Sequence, residues 1–148
     1  MALARRWSGD LSSILLIAGG SIFCILGLIH SIYTAADMRN PRRLAPMDPA
    51  VQQQMASTGV RIARGRTSMW NAWLGFNFSH SLGAILFGSL VIAAGLVVDA
   101  PAFPIATLPA LLMIAVVYFV LAIRFWFSIP IIGTGLATLC ILAAWMLR

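Results

Sequence analysis

Four apolar runs, each about as long as a bilayer crossing, limit this chain to one kind of fold. A hydrocarbon core of about 30 Å takes roughly 20 residues of helix. Residues 11–33, 73–98, 103–123 and 129–147 meet that length, and none of the four holds an Asp or Glu. Composition agrees: the chain is 61% hydrophobic and 9% charged, with mean hydropathy +0.94. A soluble globular domain lies far from those values. The expected fold class is an all-α membrane protein, a four-transmembrane-helix antiparallel bundle filling one domain of 148 residues.

The connections after the second and third runs are only a few residues long, so runs two to four pack as antiparallel neighbours. Pro109 falls near the start of the third run and is expected to bend it. Pro130 falls in the first turn of the fourth, where its missing N–H is harmless. The first run is too long for the h-region of a signal peptide, about 7–15 residues, and is expected to be retained. Its Gly20, Cys24, Gly27 and Ser31 share one face at spacings of three and four, which suits close helix packing. Cys24 and Cys140 form no CxxC pair and no metal spacing, and read as small packing residues.

Residues 34–69 form the one long connection. Asp48 before Pro49 has the form of an N-cap and first helical residue. Val51, Met55 and Ile62 follow at near-helical spacing, which predicts a short amphipathic surface helix interrupted near Gly59 or Gly65. A disordered loop is the alternative.

The charged residues are ten Arg and four Asp, with no Lys or Glu, giving a net charge of +6. Arginine-only basic usage points to a GC-rich bacterial source, and so to a multi-pass protein of the inner membrane. Arg39, Arg42, Arg43, Arg61, Arg64 and Arg66 occupy the long loop, and Arg124 falls on the same side. Arg5, Arg6 and Arg148 fall opposite. Seven against three favours a cytoplasmic long loop, although the basic N-terminus argues the other way. These charges suit anionic lipid headgroups. Nucleic acid is not an expected partner, because no soluble fold remains to present a basic face.

Polar residues cluster at the start of the second run, Trp70–Ser81. His30 lies about three residues inside the loop end of the first run. His80 lies about two inside that of the second, counting from Phe78. At 1.5 Å per residue both imidazoles belong within about 5 Å of the same membrane face, and neighbouring helices would bring them within about 10 Å of each other. Tyr33, Asn77, Ser79 and Ser81 gather at the same depth, and Asn77 and Ser81 share a helix face.

Ionisable groups inside a membrane mark candidate sites, while Asn, Ser and His also serve as plain interhelical glue. Three functional readings stay open. The first is non-enzymatic: a small hydrophobic or lipid-like ligand bound by His30, Tyr33, Asn77, Ser79, His80 and Ser81. Trp70, Trp73, Phe76, Phe78, Trp126 and Phe127 would line the mouth or serve as an aromatic belt. An accessory subunit of a larger membrane complex, or a homo-oligomer, is its packing counterpart. The second is a b-type haem with His30 and His80 as axial ligands. The third is a membrane enzyme using His80 as base, with Tyr33 or Tyr118 as proton donor. Missing intramembrane carboxylates count against this third reading, and two His fall short of the usual three protein ligands of a catalytic zinc. No resident cofactor, metal or catalytic residue is therefore assigned.

One resemblance adds to this. His30, a loop of this length with a Met-bearing helical segment, and then Trp70, Trp73, Phe76, Asn77, Ser79, His80, Ser81 and Gly83 form the pattern W-x2-W-x2-F-N-x-S-H-S-x-G. Over about residues 26–88 this resembles a family of small bacterial four-helix membrane proteins without an agreed substrate. The resemblance implies the fold and a polar cluster at the second helix.

Overall fold

A computed structural model describes the backbone of residues 2–104 and 106–148 and the side chains of residues 11–104 and 106–148. The side chains of Arg5, Arg6 and Asp10, and Ile105 of the third run, lie outside the described residues. Five helices follow in order: α1 Ala2–Asp37, α2 Pro49–Ser57, α3 Met69–Val97, α4 Thr107–Phe125 and α5 Ser128–Met146. Among the described residues, four segments are long and apolar enough to cross a membrane: Leu11–Asp37, Met69–Val97, Thr107–Phe125 and Ser128–Met146. The protein is thus an all-helical bundle of the multi-pass membrane type. The first span outruns its expected end by four residues, and the third begins four residues late, beyond Pro104.

Pro109 and Pro130 each occupy the third position of their helices, α4 and α5. The first four N–H groups of a helix lack intrahelical acceptors, so neither proline removes a hydrogen bond. Pro109 acts as part of a helix start.

The chain divides into two compact units, one of Met1–Leu26 with Ala84–Arg148, the other of Gly27–Gly83. In the first unit, Leu16, Phe23, Phe87, Val91, Leu108, Leu111 and Ile141 are buried together with alanines of α3, α4 and α5. Phe23 meets Phe87 edge to face at 4.8 Å and Tyr118 at 5.3 Å. Lipid tails are as apolar as Leu, so burying these side chains gives little driving force for helix association. Close backbone approach and hydroxyl bonds supply it instead.

At Gly20 and Gly88, α1 and α3 pack backbone against backbone. A Cβ on Gly20 would stand 2.5 Å from the Gly88 carbonyl oxygen, and a Cβ on Gly88 would stand 2.5 Å from that of Gly20. Only glycine on both helices permits that contact. Beside it the Cys24 thiol donates to Ile85 O at 3.5 Å, a small packing residue as expected. Ser13 donates to Gly95 O at 2.6 Å, Ser12 to Ala144 O at 2.9 Å, and Thr138 to Ala115 O at 3.2 Å. Arg148 pairs with Asp99 at 2.7 Å and with the Val98 carbonyl, tying the end of α5 to the α3–α4 connection.

In the second unit, Asp48 is the N-cap of α2 and accepts from Ala50 N at 2.8 Å, with Pro49 at the helix start. The helix stops at Ser57, before either expected glycine, and has no buried residue. Ile62 lies outside it, in a turn, 93% exposed. Residues 58–69 fold back instead through Val60 N–Thr67 O and Met69 N–Thr58 O bonds. Arg64 and Gly65 make the reversal with φ of 50° and 77°.

Gly20→Leu or Gly88→Leu should lower thermal stability in detergent by at least the 1–3 kcal/mol typical of overpacking. Gly75 has open space around its missing Cβ, so Gly75→Ala should leave the melting temperature unchanged or slightly raised. Equal melting of all three variants would contradict the glycine contact.

Candidate functional site

The sequence places two imidazoles at one depth, and in the second unit they meet. His30 on α1 and His80 on α3 stand with ring centroids 5.5 Å apart at 69°, edge to face. Their positions follow from helix periodicity. On α1, Gly27, Thr34 and Asp37 are buried and His30 falls in their stripe, at spacings of three and four. On α3, Trp70, Asn77 and Ser81 are buried, with His80 half-buried at the edge of that face.

Asn77 is the hinge of the arrangement. It is 1% exposed, and its Nδ2 donates to Trp73 O at 2.8 Å, one turn back on its own helix. Its Oδ1 lies 2.8 Å from His30 Nε2. A carbonyl oxygen only accepts, so the Trp73 contact settles which end of the amide faces which neighbour. His30 Nε2 must therefore carry the proton and donate it to Asn77. One amide thus orients a ring on the other helix and selects its tautomer.

The remaining expected residues divide. Ser81 is fully buried and donates to Asn77 O at 2.7 Å. Its hydroxyl is engaged by its own helix, beside the pair. Ser79 is exposed and donates to Phe76 O at 2.9 Å, so the structure does not bring it to the imidazoles. Tyr33 is exposed, with the Arg43 guanidinium 4.8 Å above its ring. It lies on α1, with its ring facing a loop arginine. Phe76 stacks on His80 at 6.1 Å and 12° while remaining 57% exposed. It closes the outer side of the imidazole. Trp73 contributes its carbonyl, Trp70 is buried and Phe78 is exposed. Trp126 and Phe127 form the α4–α5 connection in the other unit, and Tyr118 sits in that unit's aromatic core.

Bis-histidine haem ligation needs a porphyrin plane between two ring nitrogens. Here the rings touch each other directly, and His30 Nε2 is engaged by Asn77. As arranged, these residues do not fit that group. Among the described residues no three His, Cys, Asp or Glu side chains are grouped to hold a metal ion.

Sequence reasoning missed Asp37. Its carboxylate, 1% exposed, accepts four consecutive backbone N–H bonds. Arg42 and Arg43 donate to Oδ1, both at 2.9 Å. Leu44 and Ala45 donate to Oδ2 at 2.6 and 3.0 Å. The available signal was an Asp at the end of an apolar helix, just ahead of Asn40-Pro41, where a carboxylate often organises the turn that follows.

Comparison with known protein families, characterised proteins and solved structures finds no match for this chain.

Proposed function

We propose that this membrane protein binds a small hydrophobic or lipid-like molecule whose polar head rests on His30, Asn77 and His80. The observation that carries the reading is the Asn77 bridge: a buried amide holds His30 in one tautomer against a second, half-buried imidazole. Polar glue between helices needs a single hydrogen bond. A second imidazole beside it, stacked on a largely exposed phenylalanine, adds a polar ring where an acyl or isoprenoid chain would meet the protein. Ser81 and Trp73 support the amide from behind, and Tyr33 and Ser79 take no part.

The proposed role is binding, with His30 Nε2 engaged by an amide rather than by a carboxylate. An accessory-subunit role has one observation on its side. Only four of the nineteen residues of α4 are buried, a surface that suits lipid equally.

The protein is read as a bacterial inner-membrane protein with residues 34–69 in the cytoplasm, on the strength of the arginine count. In right-side-out membranes, Ser57→Cys should resist a membrane-impermeant maleimide and react only after permeabilisation. Reaction in intact membranes would reverse the orientation.

Extraction in mild detergent followed by mass spectrometry tests the binding. The wild-type protein should retain a hydrophobic molecule at near-stoichiometric level, and His80→Leu should lose it at least about tenfold while eluting as folded protein. An empty wild-type protein, or equal retention by the variant, would overturn the reading.

A further inference from the structure

The arginines of the long loop lack counter-ions within the described protein. Three carboxylates are described, and all are committed elsewhere. Asp37 is enclosed by the N–H groups of residues 42–45. Asp48 caps α2 through Ala50 N. Asp99 pairs with Arg148, the one ion pair among the described residues. Arg39, Arg42, Arg43, Arg61, Arg64 and Arg66 are all exposed.

Two of them are also held in place. Two N–H bonds to each oxygen of Asp37 close residues 42–45 into a fixed turn against the end of α1. The backbone of Arg42 and Arg43 is thereby fixed, although both side chains reach outward. Arg43 is fixed further by its guanidinium lying over Tyr33, a contact worth about 0.5–1 kcal/mol at an exposed site. Between this turn and the start of α2 lies an open hollow of about 700 Å³, walled by Pro41, Arg42, Arg43, Pro46, Met47 and Gln52. Three of the residues around it are proline, counting Pro49, and proline removes backbone freedom. The hollow is therefore a stiff basin lined by two arginines and a glutamine. It begins where the first span ends, the depth of lipid phosphates.

We infer that this basin is a binding site for the phosphate of an anionic phospholipid headgroup, with Arg42 and Arg43 as its ligands. Guanidinium groups match phosphate oxygens in bidentate geometry. A phospholipid of the surrounding leaflet presents that phosphate without leaving the bilayer, which selects lipid over soluble phosphate as the occupant. The Asp37 turn makes this a built site: the buried acid organises the backbone from within, and the positive charge is displayed outward. The inference is independent of the imidazole pair and stands or falls separately from it.

Native mass spectrometry of the full chain in detergent, titrated with short-chain phosphatidylglycerol or phosphatidylcholine, tests it. Anionic lipid attraction is about fivefold per arginine near a membrane surface. Wild-type protein should therefore prefer phosphatidylglycerol by roughly twenty-fold, and R42Q/R43Q should lose most of that preference. The decisive variant is Asp37→Asn. It keeps every arginine and raises the net positive charge, yet its amide nitrogen would face backbone donors and open the turn. Its preference should fall severalfold. Undiminished preference in Asp37→Asn would reduce the effect to bulk charge and overturn the site. So would no preference in wild-type protein, or full displacement of the lipid by equimolar inorganic phosphate. If Asp37→Asn does not elute as folded protein, R42Q/R43Q alone decides: retained preference there overturns the site.

Discussion

Inside a bilayer, apolar burial hardly distinguishes a helix neighbour from a lipid tail, and every other feature of this protein follows from that. Helices must be held by contacts that lipid does not offer: backbone against backbone, and a polar group against its complement. The first unit uses the former at Gly20 and Gly88, where neither helix leaves space for a Cβ. It adds hydroxyl-to-carbonyl bonds from Ser12, Ser13 and Thr138. The second unit uses polar complementarity, with Asn77 joined to His30. Large side chains such as Leu82, Leu86 and Leu90 stay exposed on one face of α3, a position that would be costly in water and costs nothing in hydrocarbon.

The same constraint explains why buried polar atoms are so fully engaged. Among the described residues no buried side-chain nitrogen or oxygen lacks a hydrogen-bond partner. Thr34, Ser81 and Thr134 return their hydroxyls to carbonyls four residues back on their own helices. Such bonds neutralise a hydroxyl without joining helices. Asn77 differs because an amide has two ends, one for its own helix and one for its neighbour. Asp37 solves a harder problem, a carboxylate out of contact with solvent, by taking four backbone donors at once. Hydrogen-bond donors to its lone pairs are the ordinary condition for burying such a charge.

Much of this was legible in the residues. Span number follows from length and hydropathy alone, and the Asp48-Pro49 start of α2 follows from capping chemistry. The meeting of His30 and His80 follows from depth counting, since two helices of known direction leave little freedom along the membrane normal. Rotation about each helix axis was less legible. Depth placed Ser79 and Tyr33 with the imidazoles, but their azimuth turns them to the outside and to the loop. Partner choice was hidden as well. The stripe containing Gly20 signals close packing, yet nothing in sequence names Gly88 as the opposing residue. The Asp37 turn depends on the path of eight residues of loop, which no periodicity encodes. The amphipathic pattern in the loop misled because Val51, Met55 and Ile62 are near-helical in spacing while the helix ends at Ser57.

The candidate site depends on one hydrogen bond, the donation of the His30 Nε2 proton to Asn77. Nitrogen-15 spectroscopy of histidine-labelled protein in bicelles reads it directly. His30 should show a protonated Nε2 in a single tautomer, with its signal shifted when Asn77 is replaced by Leu. A His30 ring that averages between tautomers, or a spectrum unmoved by Asn77→Leu, would contradict it.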